Sequence, residues 1–159
     1  MNLSPATTTP YHGQVQGFDV HGLRNEVIEV ALVPALGARI ISLRHRVSGW
    51  EWMWGPSGGP KLFRNRPGDD FARSPLTGWD ECLPTIAPCA WRGRAQRDHG
   101  EVWSVPWELD QVAFEHGVLK TSVVLALSPF RFERSIELRG DRLELVFRLV
   151  ALELLRRGG

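Results

Sequence analysis

The amino-acid sequence predicts an all-β protein with a β-sandwich architecture. Apolar and polar residues alternate at a period of two in several short runs, and turn residues separate these runs at intervals of about 8–12 residues. No long segment shows the periodicity of an amphipathic helix. Strands with one apolar face must bury that face, and two sheets stacked on each other do so.

The predicted strands lie on both sides of a long irregular segment. In the first half of the chain they cover residues 26–33 and 39–46, and the alternating Trp50, Trp52 and Trp54 extend the same β-meander. In the second half they cover residues 107–114, 118–127, 130–138 and 142–149.

The last two strands show the most regular alternation in the chain, and we predict a hairpin with one core face. That face comprises Phe130, Phe132, Ile136, Leu138, Leu143, Leu145, Phe147 and Leu149. Arg134 falls on the same inward register. It therefore requires a partner, because an unpaired buried charge is costly.

The domain organisation follows from where the alternation starts and stops. Residues 1–22 are predicted to be a flexible N-terminal tail, and residues 23–159 one sandwich domain. Residues 55–105 are irregular, and segments of this kind usually carry function. The final strand runs into further apolar residues, which predicts a domain truncated at its C-terminus. Its open sheet edge would allow a homodimer.

Composition excludes several classes of protein. The chain has 159 residues and a mass of 17.9 kDa, and its 19 basic and 18 acidic residues give a net charge of +1. This balance argues against nucleic acid as a partner. There is no apolar run long enough for a membrane span, the polar start lacks a signal sequence, and only Cys82 and Cys89 are cysteines. We therefore predict a cytoplasmic protein without membrane partners.

No cofactor or metal is predicted from the motifs. The spacing of Cys82, Cys89 and His99 matches no common zinc pattern. The chain also lacks a phosphate-binding loop and the nucleophile elbow of serine hydrolases.

The remaining chemistry lies in the irregular segment, where Asp80, Glu81 and His99 occur among several tryptophans. Indole rings suit the apolar faces of sugars, carboxylates suit their hydroxyl groups, and histidine transfers protons near neutral pH. Structural alternatives remain open. His99 can be a structural histidine, the two carboxylates can cap loops, and the tryptophans can belong to the core.

These motifs resemble the aldose 1-epimerase (galactose mutarotase-like) superfamily. Residues 34–43 are similar to the early hairpin of the family, and residues 78–85 to its G-x-D-E-x-x-P-T block. The His99-Gly100 pair and the strand starting at Trp107 follow in the same order as in the family. The resemblance implies a β-supersandwich and a monosaccharide or related carbohydrate as substrate. It also implies cofactor-free interconversion of sugar anomers by an acid and a base.

The resemblance also implies roles for individual residues. His99 matches a catalytic histidine that donates a proton to the ring oxygen, Arg73 matches a sugar-binding arginine, and Asp80 and Glu81 line the same cleft. The second histidine and the glutamate base of the family have no counterpart in the chain. The main prediction is therefore an epimerase-like fragment that carries part of the active site. The alternatives are a non-catalytic sugar-binding β-sandwich module and a truncated product without function.

Overall fold

The computed structural model describes residues 7–75 and 77–152, and within them the protein is all-β, as the sequence predicts. The strands are β1 (Thr9–Val15), β2 (Phe18–Arg24), β3 (Ile28–Val33), β4 (Arg39–His45), β5 (Cys89–Trp91), β6 (Arg94–Gln96), β7 (Glu108–Leu109), β8 (Leu119–Val124), β9 (Phe130–Arg139) and β10 (Arg142–Ala151). Short 3-10 helices cover Pro34–Leu36 and Phe71–Arg73, and one short α-helix, α1, covers Gln111–Glu115.

Two antiparallel sheets form the body of the protein. The N-terminal sheet has the strand order β1-β2-β3-β4, and the C-terminal sheet has the order β10-β9-β8-β7. Strands β5 and β6 form a separate hairpin. The two larger sheets stack on each other. Their facing side chains and Phe114 of α1 form one core cluster: Leu23, Ile28, Val30, Leu32, Ile40, Phe114, Leu119, Ile136 and Leu138. This packing confirms the sandwich.

The predicted C-terminal hairpin is present with the expected register. Leu138 pairs with Leu143, and Ile136 pairs with Leu145. The inward residues of β9 are buried except for the half-buried Phe130. On β10 burial decreases along the strand, so that Phe147 is 47% and Leu149 is 50% exposed. The face assignment is therefore correct, whereas the described residues cover the second half of β10 only in part.

The predicted flexible tail is wrong for residues 9–22. β1 pairs with β2 along its whole length, and Tyr11 packs so closely over Gly22 that a Cβ atom at that glycine would overlap the phenol ring. Most residues of β1 are polar because it is an edge strand with one face towards solvent. The sequence pattern therefore gave no sign of it. Residues 1–6 and 153–159 lie outside the described part of the chain.

The strand predicted from the alternating tryptophans does not form. This segment makes only an isolated bridge, between Glu51 and Arg44 of β4. The carboxylate of Glu51 accepts hydrogen bonds from the backbone N–H groups of Leu43 and Met53. These donors are therefore satisfied by a side chain instead of by a strand ladder.

The strand predicted at residues 107–114 is mostly replaced by α1. Only Glu108–Leu109 are in a strand. The side chain of Asp110 then accepts a hydrogen bond from Ala113 N and caps the helix. An N-cap aspartate satisfies a donor that the first turn leaves free, which favours the helix over a continued strand.

The helices of the structure are all short. Across residues 7–75 and 77–152, no helix combines the length and the apolar character that a membrane crossing requires.

We predict that His21 makes the fold sensitive to acid. Burial lowers the pKa of His21 below its ordinary value of 6.5, His12 also lowers it, and Asp19 raises it. The native state thus binds the proton less readily than the unfolded chain. The stability that the neutral His21 contributes is then lost as the pH falls through the range just below 6.5. Urea titration at about pH 5 and about pH 7 should show a smaller pH effect for His21→Gln than for the wild type. Equal pH effects would contradict the assignment.

Candidate functional site

The imidazole ring of His99 is stacked on one face and has one nitrogen buried. The ring stacks on Phe71 with a centroid distance of 3.9 Å and an interplanar angle of 9°. Its buried Nδ1 lies 3.0 Å from Asp98 Oδ2, at an angle that does not make a hydrogen bond. The side chain is 25% exposed. His99 is thus oriented by its neighbours while part of the ring is open to solvent.

A short helical turn supplies the stacking partner of His99. The 3-10 helix Phe71–Arg73 is capped by Asp70, whose side chain accepts a hydrogen bond from Ala72 N. Phe71 also contacts Trp103 edge-on at 5.0 Å. Phe71 is therefore fixed between a buried indole and the imidazole.

Arg73 lies on the same turn but points into solvent. Its side chain is 89% exposed, and its Nε lies 3.3 Å from Asp70 Oδ2. It lines a cavity of about 380 Å³ whose other walls include Phe63 and Asn65, but not His99. Arg73 therefore lies on the same turn as Phe71, which contacts His99, but the side chains of Arg73 and His99 do not line a common cavity.

Gly100 allows a close approach of two backbone segments, and the approaching group is Leu83, not a ligand. Leu83 and Gly100 form a parallel bridge, and Glu101 N donates to Leu83 O at 2.7 Å. A Cβ atom at Gly100, whose φ is 77°, would overlap the Leu83 carbonyl. The loop that contains Asp80 and Glu81 is in this way joined to the segment that carries His99.

Asp80 and Glu81 each pair with a buried arginine. Asp80 Oδ1 accepts a hydrogen bond from Arg39 Nε at 2.7 Å, and Glu81 Oε1 accepts one from Arg134 Nη1 at 2.9 Å. The side chains of Arg39 and Arg134 are 1% and 0% exposed. Arg39 begins β4 and Arg134 lies in the middle of β9. The Asp-Glu pair therefore connects the two sheets of the sandwich.

The backbone around this pair is fixed by β4. Trp79 and Ile40 exchange two hydrogen bonds, Trp79 N to Ile40 O at 2.9 Å and Ile40 N to Trp79 O at 3.1 Å. Gly78 lies so close to β4 that a Cβ atom there would overlap the Ile40 carbonyl. The segment before Asp80 thus runs against the edge of the N-terminal sheet, which places the two carboxylates over the arginines.

The electrostatics of the cluster reflect its burial. Burial raises the pKa of Asp80, Arg39 opposes this effect, and Glu81 adds to it. Burial lowers the pKa of Arg134, and the two carboxylates oppose that shift. Arg134 also donates to the Ala38 carbonyl. Glu81 is therefore the negatively charged partner that the buried Arg134 requires.

The thiol of Cys82 directly follows Glu81 in the sequence. Burial raises the pKa of the half-buried Cys82 thiol, and Asp80, Glu81 and Asp98 raise it further. In the part of the chain that the structure describes, no group of three His, Cys, Asp or Glu side chains is arranged to hold a metal ion.

The tryptophans range from buried to exposed, with Trp79 (37% exposed) and Trp91 (partly buried) between the extremes. Trp103 and Trp107 are buried, and Trp50, Trp52 and Trp54 are at least half exposed. Trp54 lines a cavity of about 520 Å³ on the outer face of the N-terminal sheet, where the lining also includes Tyr11 and Glu51 but not His99. Both sequence interpretations, core and surface, thus apply to different members of the cluster.

The structure adds four residues to those predicted from the sequence: Phe71, Asp98, Arg39 and Arg134. The inward register of Arg134 could have indicated its role, because a buried arginine requires a negatively charged partner. Asp98 directly precedes His99. Nothing in the pattern around Phe71 or Arg39 pointed to the site.

Comparison with known proteins does not identify the chain: no family model matches it, and no curated protein matches it.

Proposed function

We propose that the protein binds a monosaccharide at the surface around His99, as an aldose 1-epimerase-like chain that supplies the acid of the reaction. The observation that carries this proposal is the orientation of the imidazole ring between Phe71 and Asp98. Phe71 covers one face of the ring and Nδ1 is buried beside Asp98, so Nε2 is the nitrogen available to a ligand. An oriented histidine is suited to protonate a sugar ring oxygen near neutral pH.

Asp80 and Glu81 have a positioning role in this proposal. Their carboxylates are paired with Arg39 and Arg134, so neither is a free base for the anomeric hydroxyl group. The loop that they anchor bonds through Leu83 to the residues after His99. This observation favours the second candidate, a sugar-binding module without catalysis, for the chain by itself.

The cytoplasm is the proposed location. Cys82 and Cys89 are both free thiols, and persistent free thiols are typical of reducing compartments.

We predict that the purified chain binds glucose or galactose weakly and does not accelerate mutarotation. A general acid or base contributes about 10²–10⁴-fold to a rate, and the two carboxylates that the resemblance places in the cleft, Asp80 and Glu81, are both paired with arginines. Polarimetry of freshly dissolved α-glucose should give the buffer rate. Titration followed by NMR should show a millimolar dissociation constant, and His99→Asn should abolish the binding.

A matched variant is His116→Asn, which removes an exposed imidazole at the end of α1 and should bind as the wild type does. Failure of both sugars to bind would contradict the sugar proposal. A rate well above buffer that His99→Asn abolishes would show that a carboxylate of this chain serves as the base.

A further inference from the structure

Strand β10 is a long edge, and no strand among residues 7–75 and 77–152 pairs with its outer side. It is the outermost strand of the C-terminal sheet and spans ten residues. Leu152 N donates to Pro129 O, which continues the pairing register of β9 with β10. In an antiparallel ladder such bonding residues alternate. The even-numbered residues of β10 therefore bond to β9, and the odd-numbered residues direct their N–H and C=O groups towards the free edge.

The odd-numbered side chains of β10 are apolar and incompletely covered. Phe147 stacks on Phe132 at 5.9 Å, yet it remains 47% exposed, and Leu149 remains 50% exposed. A long and apolar edge strand is a template for pairing with another strand. The sequence of β10 itself indicates which strand fits.

The even-numbered side chains of β10 are complementary to themselves in one register. An antiparallel pair of β10 strands centred on Val146 places Glu144 of each copy opposite Arg148 of the other. Two opposite-charge pairs form in this way, one on each side of the two-fold axis. Cross-strand pairs of opposite charge stabilise a sheet, and like charges destabilise it.

The same register also joins the apolar residues. Leu143 then lies opposite Leu149 of the second copy, and Leu145 lies opposite its Phe147. These odd-numbered residues are the ones whose backbone groups face the free edge. Side-chain matching and backbone hydrogen bonding therefore select the same pairing.

Neighbouring registers are unfavourable. Centring the pair on Leu145 places Arg142 opposite Arg148 of the second copy on both sides of the axis. Centring it on Phe147 leaves Glu144 and Arg148 opposite valines. Centring it on either charged residue brings two like charges together at the axis. The register centred on Leu143 also places Glu144 opposite Arg142, but it pairs only three β10 residues of each copy. Among the registers that pair more of the strand, only the one centred on Val146 has opposite-charge pairs without like-charge pairs.

We propose that two copies of the chain associate through β10, in the antiparallel register centred on Val146. The pairing joins the two C-terminal sheets into one sheet of eight strands. A two-fold axis makes such an interface isologous, so each copy supplies the same surface.

Charge reversal tests the register directly. Glu144→Arg places two arginines opposite each other on both sides of the axis, and Arg148→Glu does the same with two glutamates. Each variant alone should dimerise roughly 30-fold more weakly than the wild type. A mixture of the two variants restores both attractive pairs and should form heterodimers as tightly as the wild type forms its dimer. Sedimentation equilibrium measures the affinities, and circular dichroism checks that each variant is folded.

Arg142→Glu is the matched control for Arg148→Glu. It makes the same change of charge on the same face of β10, but its position lies opposite Val150 of the second copy. This variant should dimerise as the wild type does. A wild-type chain that stays monomeric from micromolar to millimolar concentration would overturn the proposal. So would a mixture of the two charge-reversal variants that remains monomeric.

Discussion

Glu81→Ala is expected to lower the free energy of unfolding by about 3–5 kcal/mol, because it leaves a buried guanidinium without its carboxylate. Arg134 is fully buried, and Glu81 is its ion-pair partner. After the substitution, Arg134 keeps the Ala38 carbonyl and the face of Trp107, whose ring centre lies 5.3 Å from the guanidinium carbon. Neither group neutralises the charge. Urea titration followed by tryptophan fluorescence measures the loss.

Two further variants identify the cause of this loss. The double variant Glu81→Ala, Arg134→Met removes the charge as well as its partner, and it should regain much of the stability lost in the single variant. Glu137→Ala removes one of the two carboxylate partners of the exposed Arg139 and should cost at most about 1 kcal/mol. If Glu81→Ala left stability unchanged but abolished sugar binding, Glu81 would be a ligand-binding residue, as the sequence resemblance implies.

Gly100→Ala is expected to destabilise the fold by about 2–5 kcal/mol, the sum of backbone strain and a steric overlap. The φ angle of Gly100 is 77°, and the added methyl group would overlap the Leu83 carbonyl. Relief of the overlap requires the two segments to separate, which breaks the hydrogen bond from Glu101 N to Leu83 O. The same movement displaces His99, so sugar binding should weaken together with stability.

Gly93→Ala separates the two contributions. Gly93 has a φ angle of 73°, close to that of Gly100, but no atom lies near the position of its missing Cβ. This variant should therefore show the backbone strain alone, about 1–2 kcal/mol. Equal losses for Gly93→Ala and Gly100→Ala in urea titration would show that the contact with Leu83 is unimportant.

The hairpin of β9 and β10 shows what alternation can predict. Its strands, its turn and its inward face follow from a period of two, because the pleat of a strand sends successive side chains to opposite faces. The same rule failed at Trp50, Trp52 and Trp54. There the Glu51 side chain takes up backbone donors that a strand ladder would have used.

The β1 strand shows the opposite error. Its polar residues suggested a tail, yet it pairs with β2 along its full length. An edge strand with one solvated face buries little apolar surface, so its formation depends on the neighbouring strand and not on its own pattern.

The sequence by itself determined the all-β class, most of the core strands and the placement of His99, Asp80 and Glu81 in one irregular segment. These features depend on local periodicity and on residues that are close along the chain. Only the tertiary structure decided that Asp80 and Glu81 pair with Arg39 and Arg134, and that Phe71 stacks on His99. Such contacts join residues that are distant in sequence. They form because a buried charge must find a partner and an aromatic ring a packed neighbour, and the fold determines which residues are within reach.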